Sequence, residues 1–129
     1  MVKNLFKKEE GALGEKIAEE YLKKHGFKII DRNFRIRGGE IDIIALDPSA
    51  GSGQVVLVFV EVKTRKSSEY GTPLEAISYW KLKSLVKTAE FYKMKHTNLP
   101  VAMRIDAVAV VLDNNDRPKT IELIKNISG

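Results

Sequence analysis

The 129-residue sequence contains no cysteine and only two histidines. The first absence excludes disulfide scaffolds, zinc fingers and thiol catalysis, and the second argues against a histidine-rich metal site. The longest unbroken apolar runs, 55–60 and 107–112, reach six residues, whereas a membrane-spanning helix needs about 20. The first residues show neither an apolar core nor a cleavage site, so we expect no secretory signal, no membrane partner and a cytoplasmic location.

The composition is that of a globular protein, with 43% hydrophobic and 30% charged residues. This length suits a single domain over 1–129, and we expect 1–9 to form a ragged, basic lead-in. Lysine and arginine total 22 against 17 acidic residues, a net charge of +5. The excess favours an anionic partner such as nucleic acid but is too small to establish one.

Local patterns predict two helices and five strands in the order αβββαββ. Apolar residues at helical spacing predict a first helix over 10–25 and a second over 73–95. Thr72 as N-cap, Pro73 at the first helical position and Glu75 predict the start of the second helix. The strand patterns cover 27–37, 39–47, 54–63, 103–112 and 119–125. An antiparallel meander followed by a right-handed helical crossover would place strand four parallel to strand three. The predicted fold class is α/β, on the border of α+β.

Two of the central predicted strands carry carboxylates in apolar surroundings. Asp42 and Glu61 each stand between two β-branched apolar residues, and Lys63 shares a strand face with Glu61. If paired residue numbers sum to 103, Asp42 faces Glu61 and Glu40 faces Lys63. Hydrophobicity alone does not select this register, but the need to pair the charges favours it.

Directly opposed carboxylates repel each other unless a cation lies between them. Two carboxylates with backbone oxygens and water form a hard-oxygen site suited to Mg²⁺ or Mn²⁺. A neighbouring lysine can polarise an attacking water or stabilise the charge that develops on a phosphate. Asp42, Glu61 and Lys63 therefore suit metal-assisted phosphodiester hydrolysis.

The D…E-x-K set in this order resembles the PD-(D/E)XK, or restriction-endonuclease-like, nuclease superfamily. More narrowly, the sequence is similar to the YraN-type family of small bacterial candidate endonucleases. The matching stretches are G-x-x-G-E near the start, RNFRIRGGEIDIIA at 32–45, VFVEVKTR at 58–65, a lysine-bearing helix around Lys81, and RIDAVAVV at 104–111. The proline of the PD signature is absent, since Ile41 precedes Asp42.

The resemblance implies a mixed central sheet with a helix on each face. It also implies DNA phosphodiester hydrolysis, with Asp42 and Glu61 holding the metal and Lys63 assisting. The family is similar to archaeal Holliday-junction resolvases as well, which carry a glutamate on the first helix that assists the metal site. Glu15 stands at the matching position.

Each of these residues also has a structural interpretation. Asp42 and Glu61 would form a buried ion-pair set with Lys63 and Arg65 if they had no catalytic role. Other candidates stay open between a role in the site and a structural one: Glu15 as a solvated or capping residue, Glu40 as a turn residue or third ligand, and Lys81 as a surface lysine or one that reaches the site. Arg104 and Asp106 share a strand face and are expected to pair structurally.

Basic residues flank the predicted site. The candidates for nucleic-acid binding are Arg35, Arg37, Arg65, Lys66 and Lys81. No base-reading motif is visible, so we expect recognition of DNA structure rather than of sequence. Tyr79 and Trp80 would pack against the protein or stack on an unpaired base, and packing is the favoured interpretation.

Three functions follow from these patterns. The favoured hypothesis is a metal-dependent nuclease that acts on DNA, branched or single-stranded. The second is a nucleic-acid-binding accessory protein of the same fold, in DNA repair or processing, that does not cut. The third is a small protein-interaction domain whose ion cluster is structural. The sequence leaves a homodimer open.

Overall fold

The computed structural model describes the backbone of residues 2–48, 53–67, 75 and 77–129, and the side chains of these from residue 9 onward. Two helices and five strands follow one another in the predicted order. They are α1 (Val2–Lys24), β1 (Lys28–Ile36), β2 (Gly39–Asp47), β3 (Val56–Lys66), α2 (Tyr79–Lys95), β4 (Met103–Leu112) and β5 (Pro118–Ile124). No helix within these ranges is long and apolar enough to cross a membrane.

The five strands form one mixed sheet in the order β1-β2-β3-β4-β5. β3 and β4 are parallel, and every other neighbouring pair is antiparallel. The predicted meander and the parallel crossover through α2 are both confirmed. Because β3 lies at the centre and is covered on both faces, its run of apolar residues shows no alternation with polar ones.

Each face of the sheet carries its own apolar cluster. Ala18 and Leu22 of α1 pack with Val58 and Val60 of β3 on one face. Leu85, Ala89 and Tyr92 of α2 pack with Leu57 and Phe59 on the other. The predicted α/β fold, a mixed sheet with one helix on each face, is confirmed.

The pairing of β2 with β3 follows the predicted register. Ile43 pairs with Val60 and Asp47 pairs with Val56, so paired numbers sum to 103 along the ladder. The paired residues end at Ile43 and Val60, one position short of Asp42 and Glu61. The two carboxylates therefore lie at the point where the strands begin to separate.

The predicted lead-in at 1–9 is wrong, because the backbone is already helical from Val2. Residues 2–9 contain neither proline nor glycine, and three of them are lysines, which have high helix propensity. The prediction relied on apolar residues at helical spacing, which begin only at Leu13.

The predicted start of the second helix is also wrong. α2 begins at Tyr79, and Ser78 is its N-cap in an extended conformation, with its side chain accepting a hydrogen bond from the Lys81 N–H at 3.0 Å. Thr72 and Pro73, on which the prediction rested, lie outside the described residues. Serine and threonine are both favoured N-cap residues, so the local sequence allows a helix to start after Thr72 or after Ser78. Tertiary packing decides between the two.

A buried ion network connects β2, β4 and the segment after β5, at the end of β2 that is opposite Asp42. Arg104 donates to Asp106 Oδ1 and to Asp47 Oδ2, each at 2.8 Å, and both carboxylates are fully buried. Asp106 also accepts from the Asn126 N–H at 2.9 Å. These hydrogen bonds raise the pKa of Arg104. The predicted pairing of Arg104 with Asp106 is confirmed, whereas the participation of Asp47 was not predicted.

Candidate active site

Helix α1 approaches β3 unusually closely at Gly14. A side chain at this position would overlap Thr64, with a Cβ atom 2.9 Å from the Thr64 Cβ and closer still to its hydroxyl oxygen. Only glycine allows this separation between the helix and the strand. The contact places the next residue, Glu15, in a cleft that Asp42 also lines.

Asp42 occupies an irregular position in β2. Residues two apart on a strand share a face, yet Ile41 packs in the α2 cluster and Ile43 in the α1 cluster. The alternation therefore breaks at Asp42. Its Oδ2 accepts a hydrogen bond from the Val62 N–H at 2.8 Å, where the ladder between β2 and β3 has stopped. The carboxylate thus lies in the seam between the two strands.

Glu61 is the buried partner of Asp42. Only 4% of its surface is exposed, and its carboxyl group lies close enough to that of Asp42 to raise the pKa of Asp42. Among the described residues, the other oxygen, Oε2, has no hydrogen-bond partner. It lies 3.3 Å from Lys81 Nζ at the start of α2. A buried carboxylate oxygen without a hydrogen bond is costly in a folded protein, which points to a ligand at this position.

The predicted site residues line a single cleft of about 320 Å³. They are Glu15 from α1, Asp42 from β2, Glu61 and Lys63 from β3, and Lys81 from α2. Lys81 therefore reaches the site, which the sequence left open. A wider cleft of about 590 Å³ adjoins the first through Glu15 and Asp42 and extends to Arg35 and Glu40.

Two carboxyl groups of the cleft have strongly raised pKa values. Burial raises the pKa of Asp42 to about 8, reinforced by the hydrogen bond and negative charge of Glu61 and opposed by the Val62 N–H. Burial also raises the pKa of Glu15 to about 7, with the charges of Asp42 and Glu40 adding to it and Arg35 reducing it. Desolvation is thus the main cause of both shifts, and the negative charges of neighbouring carboxylates add to it.

Arg35 and Arg37 lie at the turn between β1 and β2. The exposed Arg35 forms an ion pair with Glu40, its partner in the strand ladder, with Nε 3.1 Å from Oε1. Arg37 is exposed in the turn itself. Glu40 thus faces Arg35 and lines the wider cleft beside Asp42 rather than the smaller one with Glu61.

Arg65 and Lys66 lie outside the clefts that hold the other candidates. Lys66 Nζ lies 3.0 Å from Asp116 Oδ1, in the turn between β4 and β5, and lines a separate depression. Arg65 is half-buried on β3, two residues past Lys63, and makes contacts of its own. The structure does not bring these two residues to the carboxylate pair.

The turn at Gly38 and Gly39 holds α2 in place, a role that the sequence did not reveal. Ser84 donates a hydrogen bond to the Gly38 carbonyl oxygen at 2.8 Å. A Cβ atom at Gly39 would overlap the Thr88 hydroxyl oxygen. This close packing fixes the first turns of α2 beside β2 and so presents Lys81 to Glu61. Two sequence features could have indicated this contact: the pair Gly38-Gly39, and Ser84 and Thr88 four residues apart on one face of α2.

The donor set of the cleft fits Mg²⁺ or Mn²⁺ by ligand type. No three histidine, cysteine, aspartate or glutamate side chains in the described ranges are grouped as a ready metal site. Mg²⁺, however, commonly takes one or two protein carboxylates and completes its shell with water and substrate phosphate. Asp42 and Glu61 supply two carboxylates, and Glu61 Oε2 accepts no hydrogen bond among the described residues, although Lys81 Nζ lies 3.3 Å away.

Comparison with known sequences identifies the family of this chain. The family model described as "Uncharacterised protein family UPF0102" matches residues 14–110. A UPF0102 protein of Clostridium botulinum (strain Loch Maree / Type A3) is 42% identical over 120 residues, covering 92% of this chain and 93% of the relative. Another, from Caldanaerobacter subterraneus subsp. tengcongensis, is 40% identical over 126 residues, covering 98% and 97%. The chain therefore belongs to the UPF0102 family, the YraN-type family that its motifs indicate.

Proposed function

We propose that this protein is a metal-dependent nuclease that hydrolyses phosphodiester bonds in DNA. The observation that carries the proposal is the close pair of Asp42 and Glu61 in a cleft with Lys63 and Lys81. Glu61 is buried and Asp42 is half-buried, and Glu61 Oε2 has no hydrogen bond among the described residues. Strongly shifted carboxyl groups in a cleft are typical of functional sites.

Asp42 and Glu61 would hold the metal ion, Mg²⁺ or Mn²⁺. A bound ion would act as a Lewis acid on the phosphate and lower the pKa of the attacking water. Its positive charge would also stabilise the ionised form of both carboxylates, which repel each other without it.

The remaining chemistry falls to the residues around the pair. In hydrolysis, the oxygen of water forms a bond to phosphorus, one bridging phosphorus–oxygen bond breaks, and the departing oxygen gains a proton. Lys63 lies in the cleft on the strand face of Glu61, where its ammonium group can stabilise charge on the non-bridging phosphate oxygens. Glu15, at the opposite wall, can orient water by accepting a hydrogen bond.

DNA is the proposed partner because the clefts are flanked by cations. Arg35 and Arg37 stand at the mouth of the turn that leads into Asp42, and Lys81 borders the cleft from α2. These side chains suit contacts with the phosphate backbone, which position a nucleic acid without reading its sequence. We therefore propose that the enzyme selects DNA by structure.

The test is a cleavage panel of duplex, nicked, branched and single-stranded DNA with Mg²⁺, Mn²⁺ or EDTA. We expect metal-dependent cleavage by the wild type. Lys63→Met should abolish cleavage and keep most of the affinity, because it removes one charge beside the metal and spares the other cations. Lys87→Met, at an exposed lysine of α2, is the matched control and should cut normally.

Replacing Arg35 and Arg37 together by alanine should have the converse effect. Binding should weaken, and the slope of log affinity against log salt should become shallower by about two phosphate contacts. A wild-type protein that binds DNA in a salt-sensitive way but cuts no substrate with either metal would replace this proposal with the non-cutting accessory function. Cleavage by Lys63→Met at the wild-type rate would shift the catalytic role to another lysine, first of all Lys81.

A further inference from the structure

Two large aromatic side chains are exposed at the start of α2, next to the candidate active site. Trp80 is 75% exposed and Tyr79 is 61% exposed. Their rings meet edge to face with centroids 5.2 Å apart. Of the core or surface packing that the sequence favoured, packing in the core is therefore wrong, and the two rings contact each other at the surface.

A lysine accompanies the two rings. Lys83 Nζ lies 4.9 Å from the centroid of Tyr79 and 5.9 Å from that of Trp80. The ammonium group is thus held over the rings by cation–π attraction. Exposed aromatic rings with a cation beside them match a nucleotide, whose base stacks on a ring while its phosphate meets the positive charge.

The platform of Tyr79, Trp80 and Lys83 borders the path that a DNA strand would take through the site. Trp80 lies one helical turn before Ser84, which contacts the turn between β1 and β2, and residues four apart share a helix face. A groove of about 560 Å³ runs at this junction and is lined by Arg35, Ser84 and Lys81. Lys81 also lines the cleft of the carboxylate pair, so the groove and the cleft adjoin at this side chain.

We propose that the Tyr79–Trp80–Lys83 platform stacks on an unpaired base next to the phosphate that is cut. In an intact duplex both faces of each base already contact their neighbours, so an exposed indole can stack only where a base has lost its neighbour. The substrate class is then DNA with unpaired nucleotides, such as a flap or a single strand. This inference rests on the proposed nuclease function and specifies its substrate.

Trp80 is the only tryptophan in the chain, so its fluorescence reports on the platform alone. The protein is titrated in EDTA with three probes: oligothymidylate, a blunt duplex, and the same duplex with an oligothymidylate flap. Stacking predicts quenching by the oligothymidylate and by the flap but not by the blunt duplex. Equal quenching by the blunt duplex, or none by any probe, would overturn the proposal.

Substitutions at Trp80 test whether an aromatic ring is needed for binding. Measured by anisotropy of a labelled flap, Trp80→Ala should weaken binding about tenfold, whereas Trp80→Phe should keep most of the affinity. Met94→Ala, at an exposed apolar residue in the last turn of α2, is the control and should bind as the wild type does. Replacing the flap bases by abasic sites should remove the difference between wild type and Trp80→Ala.

An unchanged affinity for Trp80→Ala would mean that the patch serves another partner and would end the proposal. The two hypotheses fail separately, because binding is measured without metal. Loss of quenching with intact metal-dependent cleavage contradicts only the platform. Quenching by unpaired DNA without cleavage under any metal condition contradicts only the nuclease function.

Discussion

At the scale of single residues, the protein contains two kinds of buried carboxylate. Asp47 and Asp106 are fully buried and share the guanidinium group of Arg104, so their negative charge is met by a cation and by hydrogen bonds. Asp42 and Glu61 lie next to each other, and Lys81 Nζ is 3.3 Å from Glu61 Oε2. The hydrogen bonds of the first set are those of a structural network. In the second set, Glu61 Oε2 accepts no hydrogen bond among the described residues and is able to bind a ligand.

The carboxylate pair makes the stability of the metal-free protein depend on pH. The pKa of Asp42 is about 8 in the folded protein and about 4 in an unfolded chain. The folded state therefore binds more protons between these values, and stability falls as the pH rises through this range. We expect Asp42→Asn to remove about 3–4 kcal/mol of that fall between about pH 5 and pH 8. Urea unfolding in EDTA at both pH values measures it.

A second measurement compares the melting temperatures of the wild type and Asp42→Asn with and without a divalent metal ion. Mg²⁺ or Mn²⁺ should raise the melting temperature of the wild type, because an ion that binds only the folded state stabilises it by mass action. Asp42→Asn should show little or no such increase. Equal stabilisation of the two proteins would place the ion elsewhere. A variant with the same pH dependence as the wild type would instead contradict the raised pKa of Asp42.

At the scale of helices and strands, the sequence was informative where burial produced a pattern. The need to pair Asp42 with Glu61, two charged residues within apolar strands, predicted the register of β2 and β3, which the ladder confirms. The start of α2 was missed because Thr72 and Ser78 both have the chemistry of an N-cap. The break in alternation at Asp42 could not be predicted, since Ile41 and Ile43 suit either face equally well.

The contact between α1 and β3 is a testable determinant of the site. Gly14→Ala should destabilise the protein by about 1–3 kcal/mol, because the new methyl group overlaps the Thr64 hydroxyl and forces the helix outward. Thermal unfolding measures this change. Gly11→Ala is the matched control, since a Cβ atom there meets nothing within 4 Å. Adding Thr64→Ala to Gly14→Ala should restore part of the loss.

A rescue that fails would show that the loss at Gly14 comes from another source. Outward movement of α1 also carries Glu15 away from Asp42. Gly14→Ala should therefore lower cleavage more than Gly11→Ala does, if the protein has the proposed nuclease function.

At the scale of the whole molecule, Arg104 joins parts that are distant in sequence. It connects the end of β2 through Asp47 with the start of β4 through Asp106, which in turn holds the segment after β5 at Asn126. The network lies beyond the carboxylate pair along β2 and β3, towards the opposite end of the sheet. It therefore stabilises the sheet without contributing to the cleft.

Arg104→Met should be among the most destabilising single changes in the protein. It leaves two buried carboxylates without their shared cation, and breaking a buried ion pair by removing one partner costs about 3–5 kcal/mol. Chemical denaturation measures the loss, and Arg117→Met, at an exposed arginine in the turn before β5, serves as the control. A loss no larger than that of the control would mean that Asp47 and Asp106 are neutralised in another way.

The parallel pairing of β3 with β4 has a consequence for how the protein is made. β4 pairs with β3 along its whole length, from Met103 to Leu112, yet it is synthesised only after α2 has emerged. Until then β3 has β2 on one side and an unpaired, apolar strand edge on the other. Such an edge is a template for pairing with other chains. The nascent chain therefore depends on rapid pairing of β4 with β3. A ribosome that pauses after α2 has been made would leave the apolar edge of β3 exposed to other chains.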